Sequence, residues 1–509
     1  MSDKNFSRRS VVGSLAGFGA LSTVGTRAVR AQPTEKDRPD RYERQGAQGD
    51  SLDAPAYFRH LLDTTGGRAG VRRYERTGAT EALVTPALRR ELDEGRETVD
   101  LQIQTTGRRS PIQSRGPLRR ELNGWRPTAT EIKRLGEYGE VGRTPEVAST
   151  KVPVAGVAVD DLAEIADLPF VLQLNHDPEV EGARGSETTS EVTASSTPTA
   201  DDIRSSDHAN FDAVSASTDV KLGGFVGGYT DGGPKVYSQN WAETVGIDTG
   251  LAGDYSNAGG WRDSLGTGYV SHGTKVLNTA AYFLKPFTTA SDPMVPFRVH
   301  NPDKSKLTKA SDFSATVDAA IINDVAASVC SLIITQNISA CPSTVCAELD
   351  SYASAGYTMS VACGSQSKYS SVDDPASSYF TVGIGAYEGE EQDGFNRQNP
   401  SQHVSVDYFN QYTGLPYCPW CHNYVSDTKF CPDVYAHGEF SPTYNTSARL
   451  QNTSMAAPIV AAGSAVELSA NPGDSYQTRL ERYHGMSQYP IYPDEASVLG
   501  EAFCTPDLV

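Results

Sequence analysis

The segment Asn452-Thr453-Ser454-Met455-Ala456-Ala457-Pro458-Ile459-Val460 constrains this chain more than any other. It sets a serine at the mouth of an apolar, small-residue helix, with a proline read inside the first turn. Proline is tolerated there because the leading N–H groups of a helix have no internal partner. A Ser454 Oγ so placed lies beside free N–H groups and the positive end of the helix dipole, where an oxyanion is stabilised. A hydroxyl is a weak nucleophile near neutral pH and needs a base, which in turn needs an orienting anion. Both are present upstream, in the segments Ile247-Asp248-Thr249-Gly250 and Ser271-His272-Gly273-Thr274.

At 509 residues the chain is long enough for more than one folded unit. Its net charge of −19 is unevenly spread: residues 201–509 hold 34 acidic and 16 basic side chains. Such a surface repels nucleic acid and anionic membranes, so no nucleic-acid partner is expected. It also suits an enzyme kept soluble in concentrated salt, where charge is screened over a few Å. No apolar run reaches the length of a membrane span. At the N-terminus, Ser7-Arg8-Arg9-Ser10 opens a mildly apolar, Gly-rich stretch, and Val29-Arg30-Ala31 offers a cleavage site. This resembles a twin-arginine export signal over residues 1–31 and predicts a secreted, extracellular protein.

All eight cysteines follow residue 329. An even number in an exported chain favours disulfides, although Cys418-Pro419-Trp420-Cys421-His422, with Cys431 and His437, also has zinc-site spacing. No cofactor is required by the chemistry above. Calcium is compatible with such a chain, but no site for it is identifiable.

Residues 32–93 read as a flexible polar lead with one short helix. Residues 94–181 read as a small α+β module, with strands at Leu101–Gln104, Val152–Val159 and Phe170–Leu174. Its helices are expected near Thr130–Tyr138 and at Asp160–Ala166. A Ser/Thr-rich linker (182–205) precedes residues 206–509, where apolar runs alternate with helical patterns as in βαβ units. The expected strands there end at Ile247, or span Ala327–Leu332, Met359–Ala362 and Tyr379–Gly385. A parallel sheet carries its chemistry at the carboxyl ends of its strands.

Asp, then His, then Ser, with the Ser454 segment the most specific of the three, resembles the subtilase family of serine peptidases. The resemblance implies a subtilisin-like α/β domain, a parallel sheet with helices on both faces, hydrolysing protein or peptide substrates through Asp248, His272 and Ser454. Asp231, in Thr230-Asp231-Gly232-Gly233, is a rival acid, read here as part of a hairpin turn. Ser331-Leu332-Ile333 resembles the strand that pairs with substrate, and Gly364 the neighbouring substrate-binding glycine. Ser365 stands where the family has an oxyanion asparagine. Cys431-Pro432-Asp433-Val434 follows a Cys-rich insertion at about 408–431. The α+β module resembles the family's inhibitory propeptide, making that segment a partner of the enzyme, with self-cleavage expected between about Asp177 and Asp207. Cys330 and Cys363, at the ends of strands that are neighbours in the family, are expected to be close enough for a disulfide. The changes at Ser365, Ile333 and Asn452 leave open a weak or inactive binding protein on the same fold.

Overall fold

The computed structural model describes residues 86–113, 121–179, 181–182, 198–205, 209–226, 253–254, 272–299, 309–333, 335–338, 345–363, 372–376, 378, 381–388, 396–397, 404–407, 417–418, 423–424, 428–431, 433–438, 440, 453–474, 476–484, 490–491 and 500–501.

The first unit is built as α1 (Pro86–Asp93), β1 (Thr98–Thr105), a hairpin of β2 (Arg108–Gln113) and β3 (Glu121–Arg126), then α2 (Ala129–Leu135), β4 (Glu140–Val141), β5 (Lys151–Ala158), α3 (Leu162–Ala166) and β6 (Val171–His176). An antiparallel sheet of order β4-β5-β1-β6 carries it. Alternation along β1 turns Leu101 and Ile103 into a core with Val152, Val154 and Leu174. Helix α1 falls in the stretch expected to be a flexible lead, yet Leu88 is fully buried in this core. Helix α2 starts with a capping box, in which Thr128 accepts from the Glu131 N–H and Glu131 accepts from the Thr128 N–H.

The second unit follows β7 (Glu181–Gly182) and α4 (Ala200–Ser205), whose Ile203 is already in the larger core. Its sheet is assembled from β8 (Leu222–Val226), β9 (Gly253–Asp254), β10 (Met294–Arg298), β11 (Ala327–Cys330) and, after the short β12 (Leu332–Ile333) and β13 (Thr335–Ile338), β14 (Thr358–Ala362). Then come β15 (Val372–Asp374), β16 (Val382–Glu388), β17 (Asn396–Arg397), small strands β18 (Val404–Asp407), β19 (Tyr417–Cys418), β20 (Asn423–Tyr424) and β21 (Thr428–Cys431), and β22 (Val434–His437). The main sheet runs β17-β16-β14-β11-β8-β10-β9, with β22 also paired to β16, and every pairing but β16–β17 is parallel. Helices α5 (His272–Leu284), α6 (Ala310–Ile322), α7 (Cys346–Ser354), α8 (Thr453–Ala470) and α9 (Tyr476–His484) cover it. Every residue of β11, β14 and β22 is buried, as a strand covered on both faces requires. The expected α/β architecture is thus present, and its strands at Ala327, Met359 and Val382 fall where the sequence pattern sets them.

Strand β8, Leu-Gly-Gly-Phe-Val, lies inside the sheet between β11 and β10. Both glycines are steric necessities. A Cβ on Gly224 would overlap the Leu277 side chain of α5, and one on Gly223 would lie 2.7 Å from Ser328 Oγ. The expected strand end at Ile247 lies outside the described residues.

The register of β11 on β14 corrects the expected Cys330–Cys363 pairing. Cys330 stands opposite Val361, so Cys363 is two residues further along. Two residues of strand rise and one inter-strand spacing separate such Cα atoms by about 8 Å, beyond a disulfide's reach. Both thiols are buried and no S–S bond joins them.

Candidate active site

Ser454 is the second residue of α8 and is only 4% exposed. Pro458 is the sixth, so it sits in the second turn of the helix and not in the first, as the sequence pattern suggested. Having no N–H, Pro458 cannot bond the carbonyl four residues back, which is that of Ser454. That carbonyl instead accepts from Ser331 Oγ at 3.4 Å. Ser331 is fully buried at the carboxyl end of β11, and its own N–H donates to the Phe225 carbonyl of β8 at 3.3 Å. Two hydrogen bonds therefore connect the end of β8 to the N-terminus of α8 through one serine.

His272 is the first residue of α5, which packs against α8. The fold therefore brings the helix that starts at His272 alongside the helix that starts at Ser454. Asp248, the rival Asp231, Gly364 and Ser365 lie outside the described residues, as do Cys421 and His422 of the Cys-rich insertion. Among the described residues, no group of three or more His, Cys, Asp or Glu is placed to hold a metal, and no helix is long and apolar enough to cross a membrane.

Leu332 and Ile333 form β12, and their partner comes from the end of the first unit. Gly182 stands opposite Leu332 and Glu181 opposite Ile333, antiparallel. The approach to this pairing is fixed residue by residue. The buried Asp177 carboxylate accepts from the Ser311 N–H (2.9 Å), Ser311 Oγ (2.6 Å) and Gln102 Nε2 (2.9 Å). The Pro178 carbonyl accepts from the Ala310 N–H at 2.8 Å. Glu179 bridges Lys309 through the backbone, with Lys309 Nζ 3.8 Å from its carboxylate and 3.1 Å from that of Asp100.

A second set of bonds joins the units through the loop before β5. Asp318, on α6, accepts from the N–H groups of Glu146 (2.9 Å), Val147 (2.8 Å) and Ala148 (2.7 Å). Glu348, on α7, accepts from Ser149 Oγ at 2.6 Å and pairs with Lys151 Nζ at 3.0 Å, both side chains buried. Ser351 Oγ donates to the Ala148 carbonyl at 2.7 Å. Neither Asp318 nor Glu348 belongs to a recognisable sequence motif. A carboxylate inside an otherwise apolar helical run, as in Thr316-Val317-Asp318-Ala319-Ala320, was the available signal, since such a group is buried only with partners.

Burial sets the electrostatics of this contact. It raises Asp177 to about 6, against the lowering influence of the Ser311 and Gln102 bonds. It likewise raises Asp318 to about 6, against the three loop N–H groups. Asp100 goes the other way: burial would raise it, but the Gly156 N–H and Lys309 together hold it below the usual range.

Residues 253–487, slightly less than half of the chain, match the family model described as the subtilase family. That segment is similar to the domain the family model describes. The match begins at Gly253, after both candidate acids. Among solved structures, the chain is similar to fervidolysin from Fervidobacterium pennivorans, a keratinolytic enzyme related to subtilisin. That likeness has 12% identity and a TM-score of 0.49, and covers 81% of this chain and 60% of that one. It is also similar to the epidermin leader peptide processing serine protease from Staphylococcus aureus, at 13% identity, 81% and 98% coverage and a TM-score of 0.49. The prenylagaramide maturation protease gives 14% identity, 58% and 93% coverage and a TM-score of 0.38. No curated protein matches the sequence.

Proposed function

We propose that the chain is an exported, salt-adapted serine endopeptidase made as a precursor, whose N-terminal α+β unit docks on the peptidase unit and fills its own substrate cleft. The observation that carries this is the antiparallel pairing of Glu181–Gly182 with Leu332–Ile333, one residue from Ser331 and hence from Ser454. An extended segment added to an exposed strand is held by main-chain bonds, whatever its side chains, which is how a peptidase binds substrate or product. Ser454 Oγ is the nucleophile and His272 takes its proton, with Asp248 orienting the imidazole. Ser365 donates to the oxyanion, and Ser331, Leu332, Ile333 and Gly364 line the bound chain. The twin-arginine segment and the excess of acidic residues after position 200 support export and salt adaptation.

A second reading of the acid has its own support. β8 is an interior strand flanked by β10 and β11, and chemistry in such sheets gathers where the strand order reverses. Asp231 follows the end of β8 by five residues, whereas Asp248 precedes the edge strand β9 by five. Phe225 of β8 already reaches Ser454 through Ser331. In this reading Asp231 orients His272.

A fluorophosphonate probe in molar salt tests the peptidase reading. Labelling of wild type and none of Ser454→Ala is expected. A wild type that stays unlabelled after its N-terminal unit has been removed is a binding protein on this fold.

A further inference from the structure

We infer that the contact between the two units encloses a buried water site, built by Gln102, Gln104, Gln173 and Ser314, whose waters complete the docking of the N-terminal unit. The inference concerns how the units are held together and does not depend on the chemistry of Ser454.

Alternation along β1 creates the site. Leu101 and Ile103 enter the core of the first unit, so Gln102 and Gln104 face the other way. The register carries this face across the sheet. Lys151, Gln104 and Gln173 stand in one transverse row, and Pro153, Gln102 and Asn175 in the next. What covers the face is the other unit. Lys151 pairs with Glu348 of α7, and Gln102 reaches Asp177, which Ser311 of α6 also holds. Ser311 and Asp318 of α6 both bond to the first unit or its tail. Ser314 follows one by three residues and precedes the other by four, so it lies on the same stripe of the helix.

This polar layer is incompletely bonded within the chain. Among the described residues, Oε1 and Nε2 of Gln173, Oε1 of Gln102, Oε1 of Gln104 and Oγ of Ser314 are buried without a hydrogen-bond partner. Gln173 is 0% exposed and Ser314 2%. Groups taken out of water without a partner cost free energy. Buried water meets that cost, typically with about three hydrogen bonds to such groups. Pairing within the protein does not suffice. Gln104 and Gln173 stand directly opposite, but a bond from Gln173 Nε2 to Gln104 Oε1 would leave Gln173 Oε1, Gln102 Oε1 and Ser314 Oγ unchanged. The set holds three acceptors, one donor and a hydroxyl that is both, all neutral, which suits water rather than an ion.

The same layer makes the contact separable. Among the described residues, only Val147 and Ala148 of the first unit belong to the larger apolar core, and the rest of its core is its own. The units therefore part by wetting polar groups and not by opening a shared apolar core.

The test uses full-length Ser454→Ala protein. A high-resolution crystal structure should show ordered water within hydrogen-bond distance of Gln173 and Ser314. The N–H groups of Val147, Ala148, Ala310 and Ser311 bond across the contact, so their hydrogen exchange reports its opening. Gln173→Leu is similar in size but strands the remaining groups. It should lower protection at these four by about fivefold or more, and leave the Val325 N–H, bonded inside the peptidase unit, unchanged. Adding Gln104→Leu and Ser314→Ala removes most of the set together and should restore most of the protection. Protection unchanged or raised by Gln173→Leu alone overturns the inference, as does a triple variant as loose as the single one. Crystals in which these amides and Ser314 bond only to one another overturn it too. Should Gln173→Leu not fold, Ser314→Ala carries the same test, with a fall of about twofold expected and no change overturning the site.

Discussion

The Ser331 hydroxyl donates to the backbone carbonyl of Ser454, the same carbonyl that an N–H at position 458 would have filled had that residue not been proline. A helix interior normally loses about 3 kcal/mol or more to a proline, and here a side chain from the neighbouring strand takes over the orphaned acceptor. The arrangement ties the end of β11 to the first turn of α8, fixing Ser454 relative to the strand that leads into β12.

This coupling predicts non-additivity. Ser331→Ala should cost about 1–2 kcal/mol by leaving a buried carbonyl unpaired. In a Pro458→Ala background the restored N–H serves the same carbonyl, so the cost of Ser331→Ala should fall by about 1 kcal/mol. Denaturant titration of the four proteins, on a Ser454→Ala background to prevent self-digestion, measures the cycle. Strict additivity would show that the 3.4 Å contact does not stand in for the helical bond.

The pair Lys151–Glu348 is buried between the two units. Removing one partner of a buried ion pair leaves the other charge uncompensated, typically at 3–5 kcal/mol. Lys151→Met should therefore loosen the N-terminal unit far more than the double change Lys151→Met with Glu348→Leu. In full-length protein the single variant should show early peptidase activity, and the double variant should regain most of the latency. Equal latency in the single variant and wild type would mean that this contact is incidental.

Asp177 and Asp318 give the docking a pH dependence. Docked, each titrates near 6; the ordinary value is 3.8. A carboxyl whose pKa is raised on docking takes up a proton as the units join. Its favourable contribution is full below about pH 4, declines as pH rises through about 6, and is lost above that. The shift of about two pKa units caps each group near 3 kcal/mol. Glu146 beside Asp318, and Asp312 beside Asp177, act in the same direction. The N-terminal unit should hold more tightly at pH 5 than at pH 8. Denaturant titrations of Ser454→Ala protein at the two pH values should show this, and Asp318→Asn, which mimics the protonated group, should flatten the difference. Stability that instead rises from pH 5 to pH 8, with Asp318 intact, would reverse the assignment.

Much of this fold is legible because its signals are local. The alternation at Leu101–Gln104, the helical pattern before Ala327 and the all-apolar run at Met359 each report one element without needing its neighbours. Strand β8 is different. Leu222-Gly223-Gly224-Phe225-Val226 carries little strand signal, because glycine weakens a strand taken alone. Only the close approach of Leu277 and Ser328 explains why nothing larger fits there. The unit-to-unit contacts were hidden for the same reason. Asp318 and Glu348 look like stray charges until the loop at 146–151 is folded against them. Pro458 lies one turn deeper in α8 than its sequence context suggests, since the sequence shows the proline but not where the helix begins.

The hidden strand bears on the identity of the acid. With β8 inside the sheet between β11 and β10 and Phe225 joined to Ser331, the chain leaving Val226 starts at the site, and Asp231 is the first carboxylate along it. Asp248 has the more familiar local motif, Asp-Thr-Gly, but stands just ahead of a strand at the edge of the sheet. A triad acid replaced by its amide leaves packing intact and lets the imidazole adopt the wrong tautomer, which lowers kcat by roughly four orders of magnitude. Asp231→Asn and Asp248→Asn should therefore behave very differently. One should lose nearly all turnover of a peptide substrate while melting within a few degrees of wild type, and the other should keep activity within about threefold. Asp248→Asn is the expected loss on the first reading, and Asp231→Asn on the topology of the described strands. Turnover abolished by Asp248→Asn alone would return the role to Asp248 and mean that the chain crosses back to the site after leaving β8. If neither change lowers kcat by more than tenfold, His272 is oriented by some other group, and both assignments fail together.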